Sequence, residues 1–380
     1  MKISFKKPVM TALAASTVAL TASFAQADNF SYSVYLNPEE PLPKHGYIPW
    51  GQGVTERTNG EVTIEMYLSG SLLPAREGLT GARDGAADIA MHPITYTPSE
   101  LPIWNVIPDI GFKYPDPFVT AFASTEYGLL DPEGNGEFDR SGVVYLGGYS
   151  TPAYYFICRE DDSHDTDQLK GRRVRTPGGP WSRFVKSIDM IDVNIPSSEM
   201  FQAFERGALD CAAADPTHLK SAANLITVAH SINMRPMGPY FAGASWLFNK
   251  DAWNRISPKN RTIIFEESAK GIASAMVGYV QLGEDALKAA KEAGINLQDP
   301  GPGYNAALDK FNANLDSDMI AAGKKAGIDN IEREIQDLSA IMEKWQKLLK
   351  GVDRTDKVKL GELVWQEIYS KLDPETYGTK

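Results

Sequence analysis

The sequence predicts an α/β protein of two similar lobes, and three observations predict it. A chain of 380 residues exceeds one comfortable hydrophobic core and favours two packing units. Strand and helix patterns follow one another as β-α-β-α-β through the first half, the order that builds a parallel sheet with helices on its faces. The turn Gly-Ala-x-Asp-x-Ala occurs at Gly85 and again at Gly207, each time between a helix pattern and a strand pattern. Glycine there ends a helix in a left-handed conformation, and the alanines let the following strand pack closely.

The chain opens with Lys2, Lys6 and Lys7, an uncharged run from Pro8 to Phe24, and Ala25-Gln26-Ala27. A charged segment, an apolar segment and a small-x-small site together read as a secretory signal peptide cleaved after Ala27, which implies export to the periplasm. Thr11, Ser16, Thr17 and Thr21 make the run too polar for a membrane span, and no cysteine follows it to carry a lipid anchor.

Phe30 to Leu36 alternates as a strand, and a helix containing Trp50 and Val54 follows. Val62, Ile64 and Met66 alternate in a second strand, a helix runs from Ala75 to Asp84, and the Gly85 turn leads into a third strand. Val143 to Gly148 and Tyr154 to Arg159 are strand-like and are read as the first crossing between lobes. In the second half, a helix from Ser198 to Arg206 leads through the Gly207 turn into a strand, and Leu247 to Trp253 marks the return. From Pro258 the apolar spacing is helical, with breaks at Asp299 to Gly303 and near Gly327. The expected division is 1–27 signal peptide, 28–148 first lobe, 149–247 second lobe, 248–350 return and bracing helices, and 351–380 a C-terminal extension.

Several chemistries are excluded. Loss of the three N-terminal lysines takes the formal charge from −11 to −14, which argues against nucleic acid and anionic membranes. His45, His92, His164, His218 and His230 show no metal-ligand spacing, and Cys158 and Cys211 belong to no CxxC pair. A disulfide between these cysteines and two buried thiols are both compatible with their apolar settings. Asp131 to Asp139 has the oxygen spacing of part of an EF-hand loop, but Gly142 stands where the bidentate glutamate belongs, so an acidic surface loop is expected. Phosphate-binding, nucleophile-elbow, zinc-protease and dinucleotide motifs are absent, and no nucleophile–base pair is evident.

The most informative stretch is Leu169-Lys170-Gly171-Arg172-Arg173-Val174-Arg175-Thr176-Pro177-Gly178-Gly179-Pro180-Trp181. In a strand, Arg173 and Arg175 share one face and Val174 takes the other. The end of a strand beside a helix N-terminus is where open α/β folds bind anions, and an arginine there can grip a carboxylate with two parallel hydrogen bonds. A solvated strand-end arginine is the competing reading.

The pattern L-K-G-x-x-V-R-x-P over Leu169 to Pro177 resembles the signature of extracytoplasmic solute-binding proteins of TRAP transporters, a family that includes dicarboxylate receptors. The resemblance extends to about Lys350 and takes in Asn249-Lys250-x-x-Trp253 and the helix-Gly-x-x-Asp phrase of each lobe. It implies a periplasmic-binding-protein-like fold whose long C-terminal helices brace both lobes, with Arg175 forming the principal salt bridge to a ligand carboxylate. It further implies contacts from Asn37, from His92, from the crossing near Ala153 and Tyr154, from Gly178 behind Arg175, and from the strand end at Asp215. Tyr154, Trp181 and Phe241 are candidates for apolar walls. Sialic-acid-binding relatives carry a second arginine where this chain has Ala153 or Tyr154, which counts against that ligand.

Asp215 admits three roles: holding a cation that bridges to the ligand, accepting a hydrogen bond from a ligand hydroxyl or amine, or capping the helix that begins at Pro216. The resulting expectation is a receptor, not an enzyme, that captures a small organic acid and hands it to membrane permease subunits. It needs no cofactor and works as a monomer. The alternative is an exported two-lobed hydrolase or lyase acting on a small acid.

Overall fold

The computed structural model describes residues 28–379; the predicted signal peptide lies outside the described residues. Eleven strands form two sheets. The strands are β1 (Asp28–Ser33), β2 (Val62–Tyr67), β3 (Ile89–Pro93), β4 (Val143–Tyr145), β5 (Tyr155–Cys158), β6 (Arg173–Thr176), β7 (Ile191–Asn194), β8 (Cys211–Ala214), β9 (Ser231–Asn233), β10 (Gly243–Asn249) and β11 (Asn296–Gln298). The first lobe has the order β2-β1-β3-β10-β4, and the second β11-β9-β5-β8-β6-β7. Each lobe therefore holds a parallel trio, β2-β1-β3 and β7-β6-β8, beside one antiparallel strand, β10 or β5. Each of these strands directly follows a crossing from the other lobe, β5 after β4 and β10 after β9.

The repeated turn sits in equivalent places, ahead of β3 and β8, and its glycines take φ of +75° and +68°. The structure also explains its aspartate. Asp88 Oδ2 accepts from the backbone N of Ser31, 2.9 Å away in β1. Asp210 Oδ2 accepts from the backbone N of Arg173, 2.8 Å away in β6. Each aspartate ties the end of one strand to its parallel neighbour, and the sequence repeat records that tie.

The crossings lie side by side. Residues 146–154 and 234–242 exchange backbone bonds, from Thr151 N to Tyr240 O at 2.9 Å and from Met237 N to Tyr154 O at 2.8 Å. The return into the first lobe begins with β10 at Gly243, ahead of the expected boundary at 247, which falls inside that strand. A Cβ at Gly243 would overlap the Tyr149 ring, so the close approach of the two crossings requires glycine. The 35-residue helix Pro258–Glu292 is the third link. At about 1.5 Å per residue it is about 50 Å long, enough to reach across both lobes. Its Ala275 packs on Gly46 of the first lobe, and its Ala286 and Ala290 belong to the second lobe's apolar cluster.

Helices Pro302–Lys325 and Ile331–Leu348 follow, separated at Gly327, which takes φ of +80°. Between them and the long helix the chain returns to pair β11 with β9, a visit to the second lobe's sheet that the 248–350 assignment did not include. The C-terminal extension closes on the first crossing, where Tyr369 donates to Leu146 O at 2.8 Å. Asp131 proves to cap the helix Pro132–Arg140 through the N–H groups of Glu133 and Gly134, so the segment read as an acidic loop is a helix N-terminus.

Cys158 and Cys211 face one another in antiparallel β5 and β8 with Cα atoms 4.1 Å apart, and they are joined by a disulfide. The bridge closes a 53-residue separation inside the sheet that carries Arg175. Replacing both cysteines by alanine should lower unfolding stability by about 2–4 kcal/mol, because the unfolded chain regains loop freedom. Urea denaturation of the oxidised protein and the double variant measures this; identical midpoints would contradict a stabilising bridge.

Candidate ligand-binding site

Arg175 is the third residue of β6, and its side chain is 1% exposed. Val174 beside it is also buried, because both faces of this inner strand are covered. The guanidinium donates to Ile195 O at 3.1 Å, Ala213 O at 3.2 Å and the Tyr96 hydroxyl at 3.1 Å. Three of its five N–H donors are thus used on neutral oxygens. Arg175 makes no ion pair among the described residues: the phenols of Tyr96 and Tyr154 are its polar neighbours, and no carboxylate touches it. An unpaired buried charge is costly to a fold.

A partly open cavity lies between the lobes beside Tyr96 and Tyr154. About 420 Å³ there is free of protein atoms, though the centre of a water molecule can occupy only about 30 Å³. Six tyrosines line it: Tyr35 and Tyr96 from the first lobe, Tyr149, Tyr154 and Tyr240 from the crossings, and Tyr279 from the long helix. Leu36, Leu42, Met91, Pro93 and Pro177 supply apolar wall, and Glu40, Thr151, Ser197 and His218 supply further polar groups. The lobes are shut on one another around it. Thr95 donates to Pro177 O at 2.5 Å, Ser197 N donates to the Tyr96 hydroxyl at 3.0 Å, and Arg183 meets the buried Asp109.

The residues singled out from the sequence divide into two groups. Tyr154 lines the cavity, and Arg175 stands directly behind the lining residues Tyr96 and Tyr154. Asp215 lies beside the cavity and is fully buried; its Oδ1 accepts from Thr217 N at 3.0 Å and Thr217 Oγ1 at 2.6 Å, which is a helix cap. Its Oδ2 accepts from the Tyr279 hydroxyl at 3.1 Å and lies 3.4 Å from His218 Nε2. Among the described residues no three His, Cys, Asp or Glu side chains are grouped to hold a metal ion.

The other candidates are not on the wall. His92 alternates with Met91 and Pro93, so its ring takes the opposite face of β3, bonding the Thr97 hydroxyl at 2.8 Å. Burial holds that imidazole down to about 3, and hence neutral. Asn37 is turned to Glu40 and to Ser221 O. Gly178, at φ +94°, borders a separate cleft with Thr95 and Asn194. Trp181 stands behind Tyr154 and Tyr240, with ring centroids 5.1 and 5.8 Å away. Phe241 packs on Gly111 and is fully buried.

Sequence reasoning missed Glu40. Its Oε1 accepts from Asn37 N at 3.0 Å and from Asn37 Nδ2 at 2.9 Å. Burial raises this carboxyl most, the Asn37 N–H opposes the rise and Asp215 adds to it, so that it is pushed up to about 8. The neighbouring His218 is lowered, by burial first, against the pull of Asp215, and stays neutral.

The two lobes thus meet around a tyrosine-lined cavity with a fully buried arginine behind its wall. Residues 34–322 match the family described as bacterial extracellular solute-binding protein, family 7, also called DctP, and the chain belongs to that family. It is a TRAP solute-binding protein, a substrate-binding receptor and not an enzyme, which removes the hydrolase-or-lyase alternative.

A curated relative from Comamonas testosteroni, named outer membrane transporter protein TsaT, is 23% identical over 299 residues, covering 78% of this chain and 86% of its own. A TRAP solute-binding protein from a marine metagenome, specific for aromatic acid ligands and solved with metahydroxyphenylacetate, superposes with a TM-score of 0.74 at 18% identity. It covers 83% of this chain and 99% of its own. A TRAP periplasmic solute-binding protein from Bordetella bronchiseptica, solved with (R)- and (S)-mandelate, gives 0.73 at 18% identity, covering 84% and 99%.

The raised Glu40 carboxyl carries a pH signature. A carboxyl whose folded pKa exceeds its unfolded value keeps its proton in the native state. The stability it lends is present below about 4.5 and is lost as pH rises through about 8. The melting temperature should therefore fall between about pH 6 and about pH 9, and Glu40→Gln should recover on the order of 2 kcal/mol of that loss. Identical pH profiles for the two proteins would show that Glu40 ionises freely.

Proposed function

We propose that the protein captures a small organic acid in the periplasm for delivery to the membrane permease subunits of a TRAP transporter, with Arg175 as the anchor for the acid's carboxylate. The observation that carries this reading is the full burial of Arg175 without a carboxylate partner. Tyr96 belongs to the first lobe and Arg175 to the second, so lobe opening withdraws the phenol and exposes the guanidinium to an entering anion. Closure then removes water from the pair, which strengthens it. Tyr154 acts as wall and Trp181 as its support, while Asp215 shapes the acidic side through Tyr279 and His218.

The tyrosine-rich lining supports an aromatic or otherwise flat acid, the class that the metagenomic and Bordetella structures hold. Ring edges and faces give such a ligand about 0.5–1.5 kcal/mol per good contact beyond simple burial. The receptor acts as a monomer, its signal peptide is removed after Ala27, and no cofactor takes part.

A thermal-shift screen over organic acids identifies the ligand, because a ligand that binds only the native state raises the melting temperature. The acid should be recovered unchanged. With a ligand in hand, Arg175→Ala should weaken binding by about 2–5 kcal/mol, and Arg175→Lys should also bind poorly because an ammonium lacks the planar fork. Calorimetry that finds the wild-type affinity in Arg175→Ala would remove Arg175 as the anchor.

A further inference from the structure

The cavity has a second pole, and its hydrogen bonding is incomplete. Glu40 sits on the cavity wall, and only its Oε1 is engaged, by the two N–H donors of Asn37. Its Oε2 has no hydrogen bond among the described residues. Nor does any lysine or arginine pair with it; the nearby Lys44 is engaged by Glu39 at 2.7 Å. The charged group acting on Glu40 is Asp215, which repels it across the lobe boundary. His218 is buried and neutral, so it offers the two acids no compensating charge. Tyr35 and Tyr279 turn their rings toward the same region.

A simple monocarboxylate would satisfy Arg175 but leave Glu40, which keeps its proton beside the buried Asp215, with Oε2 unpartnered. An ammonium there would let Glu40 release that proton and pair as a carboxylate. A ligand carrying both a carboxylate and a protonated amine would satisfy both poles and bring no net charge. The phenol oxygens of Tyr35 and Tyr279, close to Glu40, are further acceptors for an ammonium. A bound metal ion is the other cation to weigh, but the described residues contain no group of three ligating side chains to hold one.

We propose that Glu40 makes this site selective for carboxylates that also bear a protonated amine, the carboxylate pairing with Arg175 and the ammonium with Glu40 Oε2. This rests on the assignment of Arg175 as carboxylate anchor.

The isostere Glu40→Gln tests it without disturbing the loop. Asn37 offers two donors to one oxygen, so the glutamine must keep its carbonyl there and present its NH2 to the cavity. An acceptor becomes a donor while the Asn37 contacts survive. The probes are three pairs that differ only in amine or hydroxyl at increasing distance from the carboxylate: phenylglycine and mandelate, 3-aminomethylbenzoate and 3-hydroxymethylbenzoate, 5-aminovalerate and 5-hydroxyvalerate. Calorimetry, backed by thermal shift, is run on the intact wild-type protein and on Glu40→Gln, with and without EDTA.

In at least one pair the amine should bind the wild type about tenfold more tightly or better. In Glu40→Gln that advantage should fall below about threefold while the hydroxyl partner keeps its affinity. Hydroxyl members binding as well as their amine partners would overturn the proposal and leave the Arg175 reading standing. So would an amine advantage that survives in Glu40→Gln, or one that disappears with EDTA. Failure of every probe to bind, while the wider screen finds an acid that binds through Arg175, would overturn the proposal and leave the Arg175 reading standing.

Discussion

The guanidinium of Arg175 is the constraint around which the molecule is arranged. A charge taken fully out of water must be met by hydrogen bonds and by an opposite charge, or the fold bears the cost. Here the fold meets only the hydrogen bonds. Ile195 O and Ala213 O come from the second lobe, and the Tyr96 hydroxyl comes from the first. The charge itself stays unmatched by the protein, and the partner lobe is part of what keeps it solvated by dipoles. Arg175 is therefore sensitive to lobe position in a way that no surface arginine could be.

The chain path supplies the means to change that position. Two adjacent crossings and one long helix join lobes that each have their own sheet. Strands β5 and β10, which follow the crossings, sit inside the sheets and fix each end firmly. The crossings 146–154 and 234–242 also contribute Tyr149, Thr151, Tyr154 and Tyr240 to the cavity. The links between the lobes and the cavity wall share these residues.

Much of this was legible in the sequence, for local reasons. The Gly-Ala-x-Asp-x-Ala repeat marked equivalent turns because a left-handed glycine and a strand-tying aspartate leave a local imprint. The Arg175 segment was legible because strand, proline, glycine and helix follow one another in a short run. What was not legible depends on pairing across distance. His92 lies in a strand whose five residues are all buried, so alternation alone could not say which face meets the cavity. Glu40, Tyr96 and Tyr279 come from a loop, a short turn and a long helix, and only the closed lobes bring them together. The Cys158–Cys211 bridge required the antiparallel pairing of β5 and β8, a register that no local pattern announces.

The account stands on one contact, between the ligand's carboxylate and Arg175. A crystal structure of the protein bound to an acid found by screening observes it directly. The account predicts the carboxylate oxygens within about 2.7–3.1 Å of the Arg175 nitrogens, inside the tyrosine-lined cavity with the lobes shut. A carboxylate held elsewhere, with Arg175 still bonded only to Tyr96, Ile195 and Ala213, would contradict it.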